Sequence, residues 1–264
     1  MCTSHDGNQN AAASSVGDSA KAPLATDPEL IEDLVAANHI LFDQGVLDAF
    51  GHVSVRHPQD PQRFLLCRNM APALVAAGDI VQFELDGTPI DAAGRSVYLE
   101  RFIHGQIYRA RPDVMAIVHS HSPSVVPFSV VKEAPLRALC HVAAFIGTGA
   151  PVFEIRDAGG DGTSLLVTDN RLGEALATSL GEESLILMRG HGSTVVADTL
   201  RKVVYRAVYA EINARAQIQA TQLGAVTFLS EAEVRTATTM VESQVARAWD
   251  LWKKKAELTV GALS

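Results

Sequence analysis

The run V-M-A-I-V-H-S-H, Val114 to His121, constrains this chain more than any other stretch. Its apolar residues read as a buried strand, and His119 and His121 follow at its end. Side chains two apart on a strand point the same way, so both imidazoles stand side by side there. That is the arrangement of a metal clamp, and equally of two solvated histidines at a strand end. A chain with nine histidines can produce H-x-H by chance, so its neighbours decide the matter.

Those neighbours sit in a chain of mixed elements. Asp27-Pro28 predicts a helix start, and Gly45 its stop. Strands are predicted over 52–57, 63–67 and 80–85, the last ending at the hairpin signal Asp86-Gly87. Ser96 reads as the cap of a helix from Val97 to about Arg109, and Ser122-Pro123 opens another to about Val131. Two strand-like runs flank the Gly159–Gly162 turn within 151–167, then a helix spans 169–180 and a buried strand 184–188. Two long helices close the chain, from about Thr199 to Leu223 and from Ser230 to about Leu258. Intermixed, partly hairpin-linked strands and helices predict an α/β fold, a mixed or antiparallel sheet covered by helices in a single domain over 27–264. Residues 1–26 carry no periodic pattern and no apolar core of a secretory signal, and read as a disordered tail.

Composition narrows the partners. The formal net charge is −8 with both signs interspersed, which argues against nucleic acid or an anionic membrane. No apolar run approaches the roughly eighteen residues of a membrane span. Three cysteines without C-x-x-C spacing argue against a disulfide framework and for a reducing, cytoplasmic setting.

The chemistry gathers around the H-x-H strand. Glu100 lies on the helix expected just before it, and His191 follows the 184–188 strand between two glycines. Three imidazoles and one carboxylate suit a divalent transition metal. His104, four residues after Glu100, falls on the same helical face and reads either as a partner orienting a ligand or as a packing residue. No G-x-S-x-G elbow is present, so a serine nucleophile is not indicated.

Taken as a set, these residues resemble the class II aldolase/adducin-like family. The resemblance runs from about Leu30 to Leu223 and is carried by G-H-V-S-V-R (51–56), A-A-G-D-I-V (76–81), the segment from Glu100 to Val114, V-H-S-H-S-P (118–123) and R-G-H-G (189–192). It implies a three-layer α/β/α fold with a mostly antiparallel sheet. It implies a divalent metal (Mn, Zn, Co or Fe) held by Glu100, His119, His121 and His191. It also implies a homotetramer or larger homo-oligomer with active sites at subunit interfaces. The aldolases of the family bind a substrate phosphate through hydroxyl-rich segments. Here the matching segments read C-R-N-M-A-P (67–72) and R-S-V-Y-L-E (95–100), which offer fewer donors and more apolar surface.

A different branch fits these departures better: the chain looks like the metal-dependent decarboxylases of ortho-hydroxy aromatic and pyridine dicarboxylates. Y-L-E-R-F-I-H-G (98–105), P-L-R-A-L-C-H-V (135–142) and M-R-G-H-G (188–192) carry that likeness. It implies non-oxidative loss of carbon dioxide from a small aromatic carboxylate, with cleavage of a non-phosphorylated hydroxy-keto compound as the aldolase alternative. The acid that protonates the ring falls to His52, His141 or Glu100. His141 stands nearest in spacing to a residue that the aldolases borrow from a neighbouring subunit. Arg68 is the candidate fork for a second carboxylate, with a plain surface role as its rival. Tyr98 and His104 are the remaining candidates to contact substrate, Tyr98 with simple packing as its rival. A non-catalytic structural module, like the adducin head, is disfavoured because all four metal positions are kept.

Overall fold

Seven short runs rich in Val, Ile, Leu and Phe pair into one sheet: β1 (His52–Arg56), β2 (Arg63–Cys67), β3 (Ile80–Glu84), β4 (Ala116–Ser120), β5 (Val152–Phe153), β6 (Leu185–Met188) and β7 (Gly192–Ala197). The computed structural model describes residues 22–261. The strand order is β3-β2-β1-β4-β7-β6-β5, antiparallel throughout except for the parallel β5–β6 pair. The helices are α1 (Pro28–Asp43), α2 (Arg101–Ala110), α3 (Arg156–Gly159), α4 (Asn170–Leu180), α5 (Leu200–Leu223), α6 (Glu231–Glu242) and α7 (Val245–Gly261). Local chemistry sets several of their starts. Asp27 accepts from Glu29 N ahead of Pro28, Asp169 from Leu172 N, and Thr199 from Lys202 N; Ser230 and Glu233 close a reciprocal capping box.

Register decides what faces what. His52 pairs with His119, His119 with Thr194, and Arg56 with Phe64. Cross-strand partners share a face, and so do residues two apart, so His52, Ser54, Phe64, His119 and Thr194 all project toward α2. There α2 and α4 pack on each other, while α1, α5 and α7 form a second helical group. Asp33 of α1 ties that group together, accepting from Arg201 of α5 at 2.7 Å and Lys253 of α7 at 3.1 Å.

The expected tail over 1–26 lies outside the described residues as far as residue 21. Beyond it, Ala22 O accepts from Arg63, and Leu24 exchanges hydrogen bonds with the Gln82 side chain.

Four expectations are corrected. The helix expected from Val97 begins at Arg101, because Ser96 O is spent on the Asn69 amide and the chain from 94 to 99 stays irregular. The helix expected after Ser122-Pro123 is only a 3₁₀ turn, Val126–Ser129. Ser122 donates its hydroxyl to Glu211 instead of capping, and Pro127 has no N–H to continue a helix. The run S-L-L-V (164–167) is no strand, since Leu165 is left-handed at φ 69°. The final helix is two helices broken at Ser243-Gln244. Strand β7 was not among the expected strands: G-S-T at its start shows no apolar alternation, yet it pairs on both edges.

Candidate metal centre

Four segments meet at one end of the sheet. His119 leaves β4, and His121 follows two residues later. His191 sits in the tight turn between β6 and β7, and Glu100 is the residue just ahead of α2. The turn is possible because Gly192 has no side chain: a Cβ there would lie 2.2 Å from Ser120 O and 3.1 Å from His121 Cδ2. Gly51, at φ 86°, lets the chain pass close to His119 O on the other side.

Ligand atoms converge at coordination spacing. His191 Nε2 is 3.0 Å from His121 Nε2, and His119 Nε2 is 3.3 Å from His121 Nε2. Glu100 Oε2 is 3.4 Å from His191 Nε2 and 3.6 Å from His119 Nε2. Atoms bound about 2.1 Å from one metal stand about 3.0 Å apart at right angles and about 3.4 Å apart in a tetrahedron. One donor atom from each of the four residues lies within 4.8 Å of all the others.

Electrostatics favours a cation over a hydrogen-bonded cluster. Burial pushes the His119 imidazole well below its ordinary range, partly offset by Glu100, and burial lowers His121 too. Burial works to raise the Glu100 carboxyl, but hydrogen bonding to His191 and the nearby His119 outweigh it and hold the group down at about 2. The His119 and His121 imidazoles, which burial disfavours in the charged form, face each other through Nε2 beside an ionised carboxylate and offer converging lone pairs. The residues fit a divalent metal.

Supports lie behind the ligands. The Val167 amide donates to Glu100 Oε1 at 2.9 Å, leaving Oε2 toward the histidines. Thr194 Oγ1 is 3.5 Å from His119 Nδ1. Each flank carries an exposed apolar side chain. Phe50, 65% exposed, has its ring centroid 6.4 Å from that of His121. Leu99, 62% exposed, precedes Glu100, and Val130, 53% exposed, lies beside Gly190.

The other expected site residues are placed unevenly. His52 is buried on β1, its ring centroid 5.1 Å from that of His119 and 4.6 Å from that of Tyr98. Arg68 follows β2 at the same end of the sheet; extending the β1–β2 register sets it opposite His52. Its Nε donates to Asp79 Oδ1 at 2.7 Å. His141 is exposed at the start of a 3₁₀ turn, Val142 of which accepts from Tyr205 of α5. Tyr98 donates its hydroxyl to Met70 O at 2.5 Å, so it turns a ring face and not an O–H toward His52. One reading needs correcting. His104 has no exposed surface, and both its nitrogens are taken, Nε2 by His52 at 2.6 Å and Nδ1 by Ser54 Oγ at 2.6 Å. It supports His52 and does not reach a bound molecule; nor does it share a helical face with Glu100, which stands before the helix.

Sequence reasoning passed over Ser54 and Tyr108, whose hydroxyls are 2.8 Å apart. The signal was available: Ser54 follows His52 by two on a strand, and Tyr108 follows His104 by four on a helix.

Comparison with known proteins agrees with this geometry. Residues 32–218 match the family described as Class II Aldolase and Adducin N-terminal domain. Decarboxylase tropJ of Talaromyces stipitatus is 34% identical over 250 residues, covering 86% of this chain and 94% of that protein. The 3,4-dihydroxyphthalate decarboxylase of Arthrobacter keyseri is 28% identical over 208 residues, covering 73% and 79%. Among solved structures, the L-fuculose 1-phosphate aldolase of Glaciozyma antarctica superposes with a TM-score of 0.72 at 24% identity, covering 92% of this chain and 96% of that one. The fold is thus that of the class II aldolases, and the mostly antiparallel sheet flanked by helices is as expected from the sequence. The chain belongs to the class II aldolase/adducin family.

Proposed function

We propose that this protein is a metal-dependent decarboxylase of an ortho-hydroxy aromatic or pyridine dicarboxylate. Its relatives named decarboxylases and its aldolase-type domain support a lyase acting on a carbon–carbon bond. The observation that carries the narrower reading is the surround of the Glu/His₃ cluster: apolar side chains and one arginine stand where a sugar phosphate would need a cradle of hydroxyls.

Glu100, His119, His121 and His191 would hold one divalent cation per subunit: Mn, Zn, Co or Fe. When bound, the cation supplies Lewis-acid stabilisation of negative charge on an oxygen next to the bond that breaks. The chain's own residues do the rest. Phe50, Leu99 and Val130 give a planar ring an apolar seat and keep water from it. Arg68 retains Nη1 and Nη2 without a partner among the described residues, and these bind the second carboxylate. His52 reaches the site with one ring nitrogen. His141, exposed in this chain, serves the site of a neighbouring subunit in a cytoplasmic homo-oligomer. Glu100, held ionised, is the weakest candidate for the acid.

The test is reconstituted turnover. Metal-stripped protein, reloaded with single divalent metals, is expected to release carbon dioxide from one member of a panel of dihydroxyphthalates and hydroxypyridine dicarboxylates, and His119→Ala to abolish it. Metal-loaded protein that releases aldehyde from hydroxy-ketones, and no carbon dioxide from the panel, would replace this reading with an aldolase.

A further inference from the structure

Behind the metal centre a single file of hydrogen bonds runs into the core: Tyr108 Oη, Ser54 Oγ, His104 Nδ1 and Nε2, His52 Nδ1. The spacings are 2.8, 2.6 and 2.6 Å, and all four residues are buried. Each link needs one donor and one acceptor, and each neutral imidazole has one of each. Ser54 gives one proton and can accept two, so three arrangements satisfy every link: all protons outward, all inward, or His104 and Tyr108 both donating to Ser54.

The closed end selects between them. Ser54 Oγ is the only hydrogen-bond partner of the Tyr108 hydroxyl among the described residues. If protons point inward from His52, one hydroxyl proton ends in the core with no acceptor: that of Tyr108 where Ser54 donates to it, or that of Ser54 where Tyr108 donates instead. If they point outward, every donor is used: Tyr108 to Ser54, Ser54 to His104 Nδ1, His104 Nε2 to His52 Nδ1. A buried donor left without an acceptor disfavours its arrangement by roughly tenfold or more. At the open end, His52 Nε2 has no partner among the described residues, and the ring lies tilted to the His119 ring, their centroids 5.1 Å apart.

We infer that Ser54, His104 and Tyr108 are positioning residues that fix His52 as the tautomer protonated on Nε2, so that it presents the metal centre with a permanent N–H donor. The ligand matched to it is an anionic oxygen, carboxylate or phenolate. That match rests on the reading above; the tautomer does not. Burial, which keeps both imidazoles neutral, agrees with it. His52 in this form gives a hydrogen bond and takes none at Nε2, which excludes it as a general base in the resting protein.

Hydroxyl groups hold the polarity, so the two hydroxyl variants should differ. In Tyr108→Phe, Ser54 becomes the closed end, and its proton can still go only toward His104: the tautomer stays. In Ser54→Ala, His104 Nδ1 loses its partner whichever way the file points, and the preference disappears.

Neutron diffraction from the zinc-loaded full chain reads this directly. Deuterons are expected on Nε2 of both His52 and His104, and none on either Nδ1. A deuteron on His52 Nδ1 would overturn the inference, whatever the substrate proves to be. The ¹⁵N spectra of histidine-labelled protein give the same readout in solution: a single Nε2-protonated His52 in wild type and Tyr108→Phe, and an averaged signal in Ser54→Ala. An unaltered tautomer in Ser54→Ala would remove the positioning role. If that variant does not fold, the wild-type deuteron map and Tyr108→Phe still decide the direction.

Discussion

The Val167 amide holds one oxygen of Glu100 at 2.9 Å and thereby turns the other toward His191 and His119. Glu100 precedes its helix, so no helical turn fixes its rotamer; a distant loop does. In Glu100→Gln the amide can still accept from Val167, but the charge is gone. We expect metal affinity to fall by about 100-fold or more, at or above the range for losing an outer support. Competition with a chromophoric chelator measures it, and unchanged affinity would remove Glu100 from the ligand set.

Gly192→Ala should damage fold and site together. The added methyl group meets Ser120 O at 2.2 Å, and main chain cannot swing away as a side chain can. The β4–β7 pairing must open, at a cost of about 1–3 kcal/mol or somewhat more. Thermal denaturation should show the loss, and metal titration a weaker site, because His121 lies 3.1 Å from the same methyl group. Wild-type stability in this variant would contradict the close approach.

Arg68→Ala is expected to separate dicarboxylates from monocarboxylates. Losing a charged hydrogen bond weakens binding by about 10- to 100-fold. Calorimetric titration should show that loss for phthalate and little change for benzoate. Equal loss for both ligands would mean that Arg68 acts through Asp79 and the loop it anchors.

Acid should destabilise the metal-free protein before its carboxylates titrate. Burial lowers His104 from its ordinary 6.5 to about 3, and lowers His52 and His119 in the same direction. The unfolded chain then binds protons that the folded chain refuses, so unfolding free energy rises with pH across this window. The stability is complete above about pH 6.5 and drains away as pH falls toward 3. In chelator, melting temperature should be level above about pH 7 and already declining between about 6.5 and 5. A level profile down to pH 5 would show that these rings are charged in the fold.

Much of this was legible in the sequence, for physical reasons that differ by residue. His119 and His121 followed from strand periodicity, which a buried run imposes. Glu100 and His191 were singled out by position, the one just ahead of the H-x-H strand and the other between glycines after a buried strand, and the family resemblance gave them the same role. His104 was placed on the wrong footing because Ser96 looked like a cap, and nothing local reveals that its carbonyl is spent on Asn69. Strand β7 escaped for a similar reason: Ser193 and Thr194 are buried by pairing on both sides, which no pattern of polarity foretells. Tyr98 was given two rival roles, substrate contact and packing, and the fold sets its ring against His52 and its hydroxyl on Met70 O.

The four ligand positions also have a consequence for the unfolded chain. His121 and His191 are seventy residues apart in sequence, and an ion held by both would join them as a staple does while it stayed bound. Closing a loop of that length removes chain entropy worth about 4 kcal/mol. Losing such an ion would then do more than silence the site: the turn that carries His191 would keep only the backbone pairing of β7 with β4 to hold it against the centre of the sheet.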